Sequence, residues 1–109
     1  MRCCVTALLL ALAAVPALGE GRDLKLTFAA RCAVCHGLDG SGRGAAGVRL
    51  GPRGFGESKS LGKASDADLA RIIRGGSEAM PAFSFLLTEA EARRMVAEVV
   101  RPFAARRHR

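Results

Sequence analysis

The chain has 109 residues, room for one small domain, and carries a formal charge of +7 with no tryptophan and no tyrosine. Its basic residues are not interleaved with aromatic ones, so the stacking platform of a nucleic-acid binder is excluded. With only five phenylalanines as large aromatic groups, a core this modest commonly needs a staple or a bound group.

The chain opens on an export signal. Arg2 is followed by an apolar run from Val5 to Leu18 and then by Ala17-Leu18-Gly19, a small-x-small triplet that predicts cleavage after Gly19. The run is shorter than the roughly 20 apolar residues of a membrane span, which leaves an uncleaved anchor as the alternative. Cys3 and Cys4 precede the run and would be discarded with residues 1–19. The mature chain then keeps Cys32 and Cys35, and the loss of Arg2 lowers its charge to +6. Export points to the periplasm, and the surplus positive charge to an acidic partner or an anionic membrane surface.

The first helix is predicted from Asp23 to about Cys35, with Leu24, Phe28, Cys32 and Cys35 at helical spacing on one face. It carries Cys32-Ala33-Val34-Cys35-His36, an attachment site for haem c. Two cysteines at this spacing can each add across a haem vinyl group, and the adjoining histidine can then supply a nitrogen ligand to the iron. The competing readings are weaker. A disulfide here would close a loop too tight to staple anything, and a thioredoxin-like pair needs a βαβ context in a chain with no convincing strand.

From Gly37 to Gly62 the chain is Gly-rich and shows no apolar period. A free linker would leave short helical fragments with nothing to hold them, so a loop wrapped around a rigid prosthetic group is expected, its glycines permitting close backbone approach. The second helix is predicted over Asp66 to Arg74, with Ser65 as N-cap, Leu69, Ile72 and Ile73 as apolar face and Gly75-Gly76 as stop. A short aperiodic segment, Ser77 to Phe83, follows. The third helix is predicted from a capping box at Thr88-Glu89-Ala90-Glu91, with Met95, Val96, Val99, Val100 and Phe103 as buried stripe and Pro102 kinking or fraying its end. Residues 104–109 form a basic tail, either a frayed end or a docking element for a partner or anionic lipid.

A haem iron bound at His36 needs a second donor. Met80, Met95 and His108 are the candidates in the mature chain. Met95 falls in the apolar stripe and His108 in the tail, whereas Met80 stands in a loop immediately before Pro81. Met80 is the expected sixth ligand.

Phe28, the Cys32-to-Gly37 segment, the loop Gly75-Gly76…Met80-Pro81-Ala82-Phe83 and the following Thr88-x-x-Glu91 helix together make the sequence resemble the class I c-type cytochromes over nearly all of the mature chain. The resemblance implies a small all-α fold, three main helices and Gly-rich loops around one covalently bound haem, with the first and last helices crossing beside it. It implies a single-electron carrier with an exposed ring edge, ligated by His36 and Met80. It also implies that Pro52 is the loop proline whose carbonyl accepts the Nδ1 proton of the proximal histidine. Two departures stand out. Leu24 occupies the position of a small residue at the helix crossing, and residues 95–100 hold no aromatic, so Leu24 against aliphatic side chains is expected to fill the crossing. Without tryptophan or tyrosine for the haem propionates, Arg43, Arg49, Arg53 and Lys59 are the substitutes offered.

The expected protein is a periplasmic monohaem electron carrier rather than an enzyme, either a monomer or one subunit of a redox complex with an acidic partner. The alternatives are the cytochrome subunit of a periplasmic dehydrogenase, a haem-based gas- or ligand-binding protein, and a small peroxidase, which the single haem and short chain disfavour.

Overall fold

A computed structural model describes residues 21–50 and 54–106, with the side chains of all but 49 and 50. The export signal at 1–19, Pro52, Arg53, His108 and the side chain of Arg49 lie outside the described residues. Among those residues every regular element is helical, and the only β feature is an isolated bridge between Ser77 and Met80. The all-α expectation is borne out.

Helix α1 (Leu24–Arg31) starts where the Asp23 carboxylate accepts the amides of Lys25 and Leu26 at 3.0 and 3.1 Å, removing two orphan donors. Leu24 and Phe28, one turn apart, are its buried residues. The expected continuation to Cys35 breaks at Cys32, whose carbonyl is shared by the amides of Cys35 (3.2 Å) and His36 (2.9 Å). A separate single turn, α2 (Ala33–His36), follows and ends at Gly37 with φ +79°.

The Gly-rich stretch is more ordered than its sequence suggests. It contains α3 (Gly47–Leu50), a 3-10 turn (Phe55–Glu57) and α4 (Lys59–Lys63), none of which has an apolar period. The Ser58 hydroxyl starts α4 by accepting the Leu61 amide at 3.2 Å. The guanidinium of Arg101 closes the other end, donating to the carbonyls of Leu61 (2.8 Å) and Ala64 (2.7 Å) and to the carboxylate of Asp66 (3.0 Å). Helices of four or five residues depend on such outside partners, because their own nucleation cost is never recovered.

Helix α5 (Asp66–Gly75) has the predicted Ser65 cap, accepting the Asp68 amide at 3.1 Å, and ends at Gly76 with φ +77°. Its buried residue is Ala70; Leu69 and Ile73 are partly buried, and Ile72 is 40% exposed, so the predicted apolar face is rotated toward Ala70. Helix α6 (Glu89–Met95) carries the predicted capping box. Its Glu91 is a buried carboxylate that bonds the Thr88 amide at 3.0 Å and accepts from Arg22 at 3.0 Å, tying the start of the described chain to the last helix.

Beyond α6 the helix widens into one π-helical segment (Val96–Val100) and resumes as α7 (Arg101–Arg106). The Arg101 amide reaches back five residues to the Val96 carbonyl, immediately before Pro102. A proline inside a helix lacks an amide and crowds the carbonyl four residues earlier. The wide turn sits where that crowding falls, and the helix runs on to Arg106 rather than fraying at Pro102. Ala104 packs against the core, residues 105 and 106 continue α7, and the remainder of the basic tail, 107–109, lies outside the described residues.

Helices α1 and α5 both pack against the α6–π segment. Leu24, Ala92, Met95, Val96 and Val99 are at most 3% exposed there, each large side chain contributing about 1.5–3 kcal/mol relative to its exposed state. Met95 is core, as its place in the stripe predicts. The helix crossing is not wholly aliphatic, however. Phe103 meets Phe28 edge-on with ring centroids 5.3 Å apart, so α7 supplies an aromatic one turn beyond residues 95–100.

Candidate haem-binding site

One cleft, of about 250 Å3, gathers the sequence-predicted residues. One wall is the α1–α2 corner with Cys32, Cys35 and His36; the other is the 77–83 segment with Met80, Pro81 and Phe83. Residues 45 positions apart in the chain are thus brought to one opening by the way α5 returns the chain toward α2. Met80 and the three motif residues share the cleft, while Met95 is sealed in the core.

The motif wall is held from behind by the Gly-rich loop. The amides of Gly42, Gly44 and Ala46 donate to the carbonyls of His36 (2.7 Å), Cys35 (3.2 Å) and Val34 (2.8 Å), satisfying acceptors that a one-turn helix leaves open. The approach is so close that a Cβ on Gly44 would lie 2.2 Å from the Ala33 carbonyl oxygen, and one on Gly47 1.9 Å from that of Cys35. The glycines do permit close approach, as expected, but what they approach is the backbone of the attachment segment itself.

His36 is half-buried, and its ring stacks on Phe55 with centroids 4.9 Å apart and planes at 29°. Burial holds the imidazole below its ordinary range, so it is neutral at neutral pH and keeps a lone pair for a metal. Its Nδ1 is buried with no hydrogen-bond partner among the described residues. An imidazole that binds iron through Nε2 carries a proton on Nδ1 and needs an acceptor there. Pro52, the acceptor expected from the family resemblance, lies outside the described residues.

Cys32 and Cys35 are free thiols at the cleft. Burial, and then the neighbouring Cys35, push the Cys32 thiol up to about 11. Redox-active pairs of this spacing work by the opposite shift, toward thiolate, so the direction at Cys32 counts against the thioredoxin-like reading. Nor do three or more His, Cys, Asp or Glu side chains converge as metal-ion ligands among the described residues. The donors here suit a large planar group that brings its own iron: two thiols for its rim, an imidazole and a thioether for its centre, and apolar Val34, Pro81 and Phe83 around it.

The Met80 wall is thinner. Ser77 and Met80 exchange backbone hydrogen bonds of 3.0 and 2.7 Å across a tight turn, with Glu78 at φ +47°. Gly76 permits the turn, since a Cβ there would lie 2.8 Å from the Met80 carbonyl oxygen. The segment is tied to α5 farther on, where the amides of Phe83 and Ser84 donate to the carbonyls of Ile73 and Arg74 at 3.0 and 3.1 Å.

Of the cations offered for propionates, neither Arg43 nor Lys59 lines this cleft; the basic residue that does is Arg31, directly before Cys32. Sequence reasoning also passed over Phe55. Its signal was a lone aromatic within a glycine-rich stretch, where a large apolar side chain has no local reason to be.

The comparisons agree with this geometry. The family model described as cytochrome c oxidase, cbb3-type, subunit III matches residues 19–97. A solved structure titled KustC0563 c-type cytochrome superposes with a TM-score of 0.65 at 32% sequence identity, covering 75% of this chain and 98% of that one. No curated protein matches the chain. A chain with this all-α fold, this attachment motif at a cleft and these two matches belongs to the class I c-type cytochromes, haem-binding electron-transfer proteins whose cofactor is covalently bound haem c.

Proposed function

We propose that this chain is a periplasmic single-electron carrier, exported by its cleaved residues 1–19, holding one haem c through Cys32 and Cys35 with His36 and Met80 as axial ligands. The observation that carries the reading is the single cleft whose two walls present the motif and the loop methionine. Bound there, haem c supplies a one-electron Fe(III)/Fe(II) couple. The protein's own part is positional. The loop amides fix the backbone of the motif, His36 stays neutral and offers Nε2, and the carbonyl of Pro52, the acceptor that the family resemblance implies, would accept a hydrogen bond from Nδ1–H. Met80 offers a soft thioether from the other wall, which favours the reduced metal and raises the potential. Val34, Pro81 and Phe83, which line the cleft, would pack against a bound ring and add to the same shift. With His36 and Met80 both bound to the iron no position would be open to a substrate, which suits electron transfer rather than catalysis. Its partner would be a redox protein acidic at its docking surface.

The test is the spectrum of the reduced, matured protein with and without carbon monoxide. The proposal expects a low-spin haem c spectrum that carbon monoxide does not shift, and a Met80→Ala variant that keeps its haem but binds the gas readily. A readily shifted unsubstituted protein would instead support the gas-binding reading.

A second reading, a permanent subunit of a larger oxidase or dehydrogenase, is favoured by the exposure of Leu26, Leu38, Val48 and Phe85. The description of the matching family, an oxidase subunit, favours it as well. Co-purification with a catalytic partner from native membranes or periplasm separates the two.

A further inference from the structure

We infer that Phe55 is a positioning residue for the His36 imidazole: its ring, held between the Gly40 backbone and Phe28, fixes the plane in which the imidazole meets the haem iron. The inference rests on the proposed ligation by His36, but not on that by Met80.

An imidazole held to iron through Nε2 and to the backbone through Cβ retains one soft motion, rotation of its plane about the iron–nitrogen axis. A hydrogen bond at Nδ1 resists that rotation weakly, because carbonyl acceptors tolerate a broad range of directions. A flat face in contact with the ring resists it sterically. Phe55 supplies that face at 4.9 Å and 29°, the arrangement of an offset aromatic stack.

Phe55 can serve as a reference surface because it is itself immobilised. Its amide donates to the Gly40 carbonyl at 2.8 Å, and its side chain is only 9% exposed. Gly40 stands at φ +73°, and a Cβ there would lie 2.6 Å from Phe55 Cδ2 and 3.0 Å from Phe103 Cβ, so the loop backbone presses directly on the ring. Phe28 of α1 meets Phe55 at 6.1 Å and 59°, and Phe103 of α7 closes on Phe28. The orientation of the imidazole is thereby referred to the first and last helices, not only to the loop that carries the acceptor carbonyl.

The experiment uses the matured holoprotein and reads the ferric haem by its paramagnetically shifted methyl resonances, which report the axial imidazole plane, alongside haem content and circular dichroism. Phe55→Leu keeps apolar volume but removes the flat face. Phe28→Leu makes the same change in the same cluster, one ring removed from His36. Both variants are expected to retain haem and helix content. The methyl resonances should redistribute in Phe55→Leu and stay close to the unsubstituted pattern in Phe28→Leu. Unchanged resonances in Phe55→Leu, or an equal redistribution in Phe28→Leu, would overturn the positioning role and leave the electron-carrier reading standing. Absence of a His-ligated haem from the unsubstituted protein would overturn both.

Discussion

The two walls of the cleft are built by opposite strategies. The motif wall is a single helical turn whose carbonyls are taken up by three loop amides, whose backbone is approached so closely that only glycine fits at two positions, and whose imidazole lies flat on a buried ring. The methionine wall is one tight turn with two hydrogen bonds of its own and a glutamate in the left-handed region. The difference follows from what each wall must do. Side chains that form covalent bonds to a rigid ring must be presented in one geometry before the bonds form, whereas a thioether ligand can find the iron afterwards through a flexible side chain. The motif wall is therefore the expensive half of the fold, and the methionine wall is where ligation is easiest to change.

The sharpest way to break this contrast is Gly47→Ala. A methyl group 1.9 Å from the Cys35 carbonyl oxygen must displace either α3 or the motif, at a cost of about 3 kcal/mol. Denaturant unfolding of the holoprotein and the yield of attached haem should both fall. Next in size is the frame that carries both walls. Hydrogen bonding from the Thr88 backbone, opposed by burial and aided by the Thr88 side chain and Arg22, holds the Glu91 carboxyl below its ordinary 4.5. A depressed carboxyl contributes stability in full above its unfolded value and loses it as the pH falls through the folded one. Glu91→Gln should cost about 1 kcal/mol at neutral pH, since glutamine keeps part of the cap but not the charge, and should flatten the acid limb of a stability-versus-pH curve. The smallest effect is expected at the thin wall. Glu78→Gly relieves a backbone conformation that costs about 1 kcal/mol and should raise the thermal midpoint slightly without changing the haem spectrum. A large loss of stability there would show that the turn is more tightly held than its bonds suggest.

Much of this was legible in the residues, for identifiable reasons. Ser65 and the Thr88…Glu91 box predicted their caps because capping is a local matter of one side chain and one or two amides. Met95, Val96, Val99 and Val100 read correctly because a long helix repeats its period often enough to be seen. What was hidden is what neighbours impose. Helices α3 and α4 are too short to show a period, and α4 is finished by Arg101, some 40 positions away in sequence. Separation in sequence also hid Phe55, whose place is set by Gly40, Phe28 and His36 together. Pro102 was read by its usual effect on a straight helix, and the widened turn ahead of it is a backbone solution that no residue type announces. Likewise Arg31 reaches the cleft because α1 ends at Cys32, a break with no proline or glycine to mark it.

The central claim is that Cys32 and Cys35 are joined to one porphyrin with His36 at its iron. The intact mass of the protein, purified from a host that attaches haem c and treated with a thiol-alkylating reagent, tests it most directly. The account predicts a chain beginning after Gly19, heavier by one haem, with neither cysteine alkylated. A chain without the added haem whose two cysteines both take the reagent would contradict it.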